Sequence, residues 1–304
     1  MDIKLYVIIV TYNAMKWIDR CLSSVITSTI KSKIVVIDNN STDNSVEYIK
    51  ENFNEVIILP NNKNLGFGKA NNLGIKYALD KNCDYVYLLN QDAWVEKDTF
   101  EILINSAKQN KEYGILSPLQ VTANKTNLDK NFSKYCSSMH CNSLIDDILL
   151  KKDRIQDIYK IDFVMAAHWL ITKDCLKIIG GFNPSFPHYG EDENYIHRLT
   201  FHKLKVGICP KTSAVHDREN RIIHKKNIIF MNYIEYIKIY SNINLNLKSK
   251  ISKIFRNFIT TIRMCFSYCT LKPLINFFFF CIKLNYFNKN NKITKQKASC
   301  FIYN

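Results

Sequence analysis

The first half of the chain alternates two hydrophobic rhythms. Continuous apolar runs at Val7–Val10, Ile34–Ile37, Val56–Leu59 and Tyr85–Leu89 read as buried strands. Between and after them lie stretches of helical length, Ala14–Ile26, Ser45–Lys50, Lys69–Leu79 and Asp98–Gln109. In Ala14–Ile26, helical spacing gathers Trp17, Cys21, Leu22 and Val25 on one face. Apolar strands separated by single helices predict βαβ units and a parallel sheet covered on both sides. Such sheets bind ligands beyond the carboxyl ends of their strands. Those ends here are Thr11-Tyr12-Asn13, Asp38-Asn39-Asn40, Asn61–Asn64 and Asn90-Gln91-Asp92, and four ends rich in Asn and Asp point to one shared site.

Further along, the pattern loosens. Residues 120–160 are polar and irregular, and read as a loop-rich insertion or acceptor region. Ile161–Ile171 reads as a buried strand pair, Lys173–Ile179 as a short helix stopped by Gly180-Gly181, Asp192–His202 as another helix and Val206–Cys209 as a last strand. The N-terminal apolar run is followed at once by Thr11 and Asn13 and lacks the features of a signal peptide.

Composition adds two facts. With 304 residues, 47% of them hydrophobic, the chain can bury a sizeable core, and 8 Gly with 6 Pro exclude fibrous or linker-rich classes. The net charge of +15 is almost wholly C-terminal: Arg221–Asn304 holds 15 Lys or Arg and a single acid, Glu235. Ten scattered cysteines without any C-x-x-C suggest a reduced, cytosolic protein, although Cys136 and Cys141 flank His140 in a possible zinc pattern. In the tail, Phe255–Leu284 is apolar and aromatic around Phe277–Phe280, but Arg263, Lys272 and Pro273 divide it into runs too short to span a bilayer. Basic residues among Phe, Ile and Leu predict a mostly helical segment lying on an anionic membrane surface. Packing of those aromatics on the rest of the chain is the alternative.

Several short motifs carry chemistry. Asp38, at its strand end, can accept hydrogen bonds from a nucleobase or ribose, with Ser41, Thr42 and Asp43 capping the next helix. Gly66 and Gly68 separate strand from helix in NKNLGFGKANN, where backbone can approach a phosphate or simply turn; the spacing is neither a Walker loop nor G-x-G-x-x-G. Asp92, with Asn90 two residues before it, suits a hard cation bridging a diphosphate. Glu191-Asp192-Glu193 exceeds what helix capping needs, so one of the three can act as general base. His216, beside Asp217 and Arg218, is a candidate metal ligand.

Together VIIVTYN, VVIDNNSTDNS, NLGFGKANN, LLNQDA, GGFNPSF, YGED and AVHDR resemble, in order and spacing, the family 2 glycosyltransferases, over roughly Leu5–Arg221. The likeness is nearest the bacterial rhamnosyltransferase-like members that build surface polysaccharides. It implies an α/β GT-A fold with a mostly parallel, Rossmann-like sheet flanked by helices, and an inverting enzyme using a divalent cation, Mg²⁺ or Mn²⁺. By position, Thr11, Tyr12, Asn13 and Gln91 fall in the nucleotide pocket and Asp38 takes the base. The segment with Asn64, Gly66, Gly68, Lys69 and Asn72 follows the nucleoside and diphosphate. Asn90, Asp92 and His216 fall at the metal site, with Asn90 replacing an acid. Asp192, beside Glu191, falls at the general base, while Asn194 departs from the E-D-x-D form that members often show.

The resemblance also implies a catalytic domain over residues 1–220, its nucleotide-sugar half ending near 118, followed by the basic extension 221–304. The expected partners are a UDP- or dTDP-sugar, with rhamnose first, and a growing, lipid-linked glycan, at the cytoplasmic face of the plasma membrane. Nucleotidyl transfer, or a non-catalytic role in binding nucleic acid through the basic tail, are the alternatives. The second leaves Asp38, Asp92 and Asp192 without roles, and no nucleic-acid partner is expected.

Overall fold

The computed structural model describes residues 3–137, 139–141, 143–150, 155–217 and 224–303. In chain order the strands and helices of the first half are β1 (Leu5–Thr11), α1 (Ile18–Ile26), β2 (Ser32–Asp38), α2 (Ser45–Asn52), β3 (Ile57–Pro60), α3 (Phe67–Asp80), β4 (Tyr85–Asn90), β5 (Ala93–Val95) and α4 (Thr99–Gln109). There follow β6 (Tyr113–Val121), α5 (Lys130–Ser133), α6 (Leu144–Leu149), β7 (Tyr159–Lys160), β8 (His168–Thr172), α7 (Lys173–Ile179), α8 (Glu191–Phe201) and β9 (Lys205–His216). The C-terminal part is helical: α9 (Lys225–Ser241), α10 (Leu247–Tyr268), α11 (Lys272–Ile282) and α12 (Leu284–Thr294).

One nine-stranded sheet runs β3-β2-β1-β4-β8-β6-β9-β5, with β7 also paired to β9. β1, β2, β3, β4, β6 and β9 run in one direction, and β5, β7 and β8 oppose them. The protein is thus mixed α/β with a mostly parallel sheet. Alternate residues of each strand feed opposite cores, as the twofold period of a strand requires. Tyr6, Ile8, Val35, Ile37, Val86 and Leu88 pack with Ala70 and Ile75 of α3 and Leu176, Tyr195 and Leu199 of α7 and α8. Leu5, Val7, Ile9, Val36, Tyr87 and Leu89 pack with Cys21, Leu22 and Val25 of α1 and Phe100 and Leu103 of α4. Burial on both faces is what made these strands continuous apolar runs.

Two expectations need correction, and one strand was not foreseen. Ile161–Ile171 is not a strand pair: β7 joins β9, whereas β8 inserts between β4 and β6. The last strand does not stop at Cys209. A register shift against β6 between the pairs Pro118–Cys209 and Leu119–Ser213 carries β9 past Pro210, and pairing then resumes to His216. Proline cannot donate to the ladder, so the strand tolerates it only at such an irregularity. Finally, β5 was hidden because only three residues, Ala93–Val95, separate the polar end of β4 from the next loop.

The tail is not an appended arm. Ile234, Tyr236 and Ile237 of α9 meet Phe280, Phe287 and Phe186 in a third core. The chain then returns to the sheet, where Ile302 joins the first core and the Cys300 carbonyl accepts from the Gly181 amide at 2.7 Å. A second face stays open: Leu247, Ile251, Phe255 and Phe266 of α10, and Ile275, Phe278, Phe279 and Ile282 of α11, are all exposed. Among the described residues no helix is long and apolar enough to cross a membrane.

Candidate active site

The strand ends gather as their register dictates. β1 and β2 pair in register through Thr11 and Asp38, and β4 lies on the other side of β1. Asp38 is buried, and its carboxylate accepts from Thr11 Oγ1 at 2.9 Å and from the Ser41 amide at 2.9 Å, with Ser41 Oγ as a further donor. Asn13 sits at φ 51°, donates its amide to Ser41 Oγ at 2.9 Å and accepts from the Thr42 amide at 2.8 Å. Ser41 and Thr42 therefore tie the β1 and β2 ends together, and Asp43 alone bonds the first residue of α2, accepting from the Ser45 amide at 3.0 Å. Burial works against the Asp43 carboxylate, but hydrogen bonds from Ser45 and Met15 overcome it and lower its pKa. Gln91 clamps Tyr12, accepting from its amide at 2.7 Å and donating to its carbonyl at 3.2 Å.

The glycine segment has mainly structural work. Asn64 accepts from the Gly66 amide at 2.9 Å. Gly66 has φ +78°, and a Cβ there would lie 2.7 Å from the Pro187 carbonyl oxygen, so both conformation and space call for glycine. Gly68 abuts Phe182 and Glu191, joining α3 to α8. Lys69 is exposed. Asn72 accepts from the Phe182 amide at 2.7 Å and donates to the carbonyls of Phe182 at 2.9 Å and Phe301 at 3.2 Å. Its amide thus pins the Gly-Gly-Phe turn and the C-terminal segment together.

Beyond these ends lies a cavity of about 1120 Å³, lined among others by Asn90, Asp92, Asp129, Glu191, Asp192 and His216. Residues 122–134, part of the irregular region, form one wall, with Lys130 and Lys134 on it. The antiparallel register of β5 and β9 sets Ala93 opposite His216, which brings the imidazole to the preceding Asp92. His216 Nε2 stands 3.6 Å from Asp92 Oδ1, and Asn90 Nδ2 is 3.4 Å from the same nitrogen. On the far side, His216 Nδ1 is 3.9 Å from Asp129 Oδ2. Asp129 Oδ1 also caps α5, accepting from the amides of Asn131 and Phe132 at 2.9 Å. Sequence reasoning passed over Asp129; its position just before Lys130-Asn131-Phe132 was legible as a cap but not as a neighbour of His216. His168, packed edge-on to His216, is buried, and burial lowers its pKa to about 3.

One carboxylate and one imidazole, with an amide beside them, suit a cation that takes its other oxygens from a diphosphate and water. They do not make a self-sufficient cage: among the described residues no group of three or more His, Cys, Asp or Glu could hold a metal ion. Arg218, and the boundary placed between 220 and 221, lie outside the described residues.

The acidic motif opens α8. Tyr189 and Gly190 both have positive φ, 65° and 83°, so the chain turns sharply into the helix. Left-handed backbone at a bulky Tyr is costly and concentrates at functional sites. Glu191 is buried with Oε2 lacking a hydrogen-bond partner. Its burial, then the charge of Asp192, push its pKa up to about 8. Asp192 is raised to about 6, first by burial and also by Glu193, against a hydrogen bond from the Glu193 amide and the charge of Lys238. Near neutral pH Asp192 is therefore mainly ionised and Glu191 mainly protonated. Asn194 is buried and donates to the Ser241 carbonyl at 3.2 Å. An ionised Asp in its place, as in E-D-x-D, could not make this donation.

Comparisons agree with this architecture. The model of "Glycosyl transferase family 2" matches residues 6–176. The "Low-salt glycan biosynthesis hexosyltransferase Agl10" of Haloferax volcanii is 23% identical over 188 residues, 62% of this chain and 59% of that protein. This chain thus spans about three fifths of that relative. The "dTDP-rhamnosyl transferase RfbF" of Shigella flexneri is 22% identical over 218 residues, 71% of this chain and 70% of the relative. Among solved structures, GalNAc-T7 with UDP, GalNAc and Mn²⁺ superposes at a TM-score of 0.57 and 15% identity, covering 88% of this chain and 57% of that one.

Proposed function

This chain belongs to glycosyl transferase family 2, and we propose that it moves a sugar, with inversion, from a UDP- or dTDP-sugar to a hydroxyl of a growing, lipid-linked glycan. The observation that carries the reading is the presence of two acidic centres on one cavity, Asp92 with His216, and Asp192, whose pKa burial raises, beside Glu191. An acceptor hydroxyl oxygen attacks the anomeric carbon and forms the new glycosidic bond. Asp192 accepts the hydroxyl proton. The bond from that carbon to the diphosphate breaks, and the nucleoside diphosphate leaves with the electron pair. When bound, a divalent cation, Mg²⁺ or Mn²⁺, supplies positive charge for the diphosphate oxygens, and Asp92, His216 and the Asn90 amide are the residues to hold it. Thr11, Tyr12, Asn13, Asp38, Gln91 and the Asn64–Asn72 segment form the nucleotide side, within residues 1–118; residues 119–220 supply the acceptor side. Rhamnose is the first donor to test, supported by the relative named a dTDP-rhamnosyl transferase. Family membership supports sugar transfer over nucleotidyl transfer and over a non-catalytic role.

The lipid-linked acceptor draws support from the tail, whose open apolar and basic face fits docking at the inner face of the plasma membrane. The exposed apolar residues of α10 and α11 are interleaved with Lys248, Lys253, Arg256, Arg263 and Lys272, and no acid follows Glu235. Such a face suits anionic headgroups.

The test of donor chemistry is a screen of nucleotide sugars, with Mn²⁺ and with chelator, for hydrolysis and thermal stabilisation. Failure of every UDP- and dTDP-sugar to register removes the proposed donor. Membrane docking is tested by flotation with phosphatidylglycerol-containing and with pure phosphatidylcholine vesicles. Because Ile302 returns to the core, the control replaces Phe266, Phe278, Phe279 and Ile282 by Ser instead of deleting the tail. Equal recovery of native and substituted protein from anionic vesicles rules docking out.

A further inference from the structure

α8, which carries Asp192 in its first turn, meets α9, and both lie beyond the segment matched by the family model. Lys238 of α9 sits 2.7 Å from Glu193 Oε2 and 2.9 Å from Glu235 Oε2, with its side chain largely buried. Its stem lies over Gly190: a Cβ built there would meet Lys238 Cγ at 3.0 Å and Ile234 Cγ2 at 3.1 Å. The same lysine therefore covers the left-handed turn that launches α8 and holds the residue after Asp192. We propose that Lys238 is a positioning residue for Asp192, so that the C-terminal helices complete the active site as well as covering it.

Gly190 and Glu193 bracket Asp192, and both are restrained by one side chain from another element. An ammonium between two carboxylates is doubly held, which keeps a long, flexible side chain in one place. Partial burial strengthens that interaction over a surface pair. The charged and titratable groups around Asp192 are Glu191 and Glu193 on its own helix, Lys238 and Glu235 on α9, and Tyr135 from the segment after α5. His197 lies 4.0 Å from Glu193. Lys238 is the cation bonded within this set, and its charge favours ionised Asp192. Without it, Glu193 keeps an uncompensated charge next to the base, and both changes push the Asp192 titration upward.

This inference rests on Asp192 being the base, so the experiment separates the two claims. Protein labelled with carbon-13 at the aspartate side-chain carboxyls is titrated by NMR, and Asp192→Asn identifies the Asp192 signal. The expected midpoint lies near 6 in the native protein. It rises by about half to one pH unit in Lys238→Met, within the range of a neighbouring charge, and returns towards the native midpoint in Lys238→Arg. Should Lys238→Met not fold, Glu193→Gln, which takes the negative charge from beside Asp192, is expected to lower the midpoint, and that variant with Lys238→Arg carries the test. An Asp192 midpoint unmoved by loss of either partner overturns the positioning role. If instead Asp192→Asn keeps native hydrolysis of UDP-N-acetylglucosamine and dTDP-rhamnose, the base assignment falls and the catalytic meaning of Lys238 falls with it.

Discussion

The strand ends around Asp38 and the acidic cavity are both rich in carboxylates, yet they treat them in opposite ways. Asp38 and Asp43 are enclosed by donors from Thr11, Ser41, Ser45 and Met15. Glu191 is buried with an oxygen left without a partner, and Asp192 accepts from the Glu193 amide at 2.8 Å. Hydrogen bonds from N–H and O–H groups anchor a carboxylate in one orientation, and at Asp43 they also favour its charged form. One buried without them has a raised proton affinity, which is what a general base requires. The difference teaches that the position of a carboxylate at a strand or helix end does not reveal its role; the donors around it do.

The strongest break in that comparison is Asp192→Asn, expected to lower transfer at least ~10²-fold, the low end for removing a general base, while isothermal calorimetry shows nucleoside-diphosphate affinity retained. Next, Asp92→Ala, and less strongly His216→Ala, are expected to weaken Mn²⁺-dependent binding of UDP or dTDP by more than the roughly tenfold loss typical of disturbing a supporting group. Unchanged calorimetric affinity with and without metal removes the site. On the donor side, Asp38→Asn leaves at least one of Thr11 and Ser41 facing an amide donor. Its expected mark is a stability loss of about 1–3 kcal/mol in urea denaturation; no loss would mean that the anchor is not one.

The smallest effect sharpens the contrast. Glu191 ionises at about 8 in the fold against an ordinary 4.5, so its stabilising contribution is complete below about pH 4 and drains away as pH rises to 8. Glu191→Gln escapes that loss. Its melting temperature is expected to exceed that of the native protein by about 2–4 °C at pH 8 and by less at pH 5. A constant difference across that range would show that Glu191 is not buried in its protonated form.

Much of the architecture was legible in the sequence because its signal is local. Continuous apolar runs announced β1, β2 and β4, Gly180 stopped α7 where expected, and the Asn- and Asp-rich segments did fall at neighbouring strand ends. Asp92, Asp192 and His216 were each named from short motifs, and they line one cavity. What the sequence could not express was partnership across the chain. How the Asp38 carboxylate is held depended on Thr11 and Ser41. The approach of Asp92 to His216 depended on a three-residue strand and on β9 continuing past Pro210. The nearness of Asp129 to His216, the contact of Lys238 with Glu193 and the return of Ile302 to the core have no local signature. Hydrophobic periodicity is set by neighbours along the chain, whereas hydrogen-bond partners, burial and proton affinity are set by neighbours in space, and only the tertiary structure brings those together.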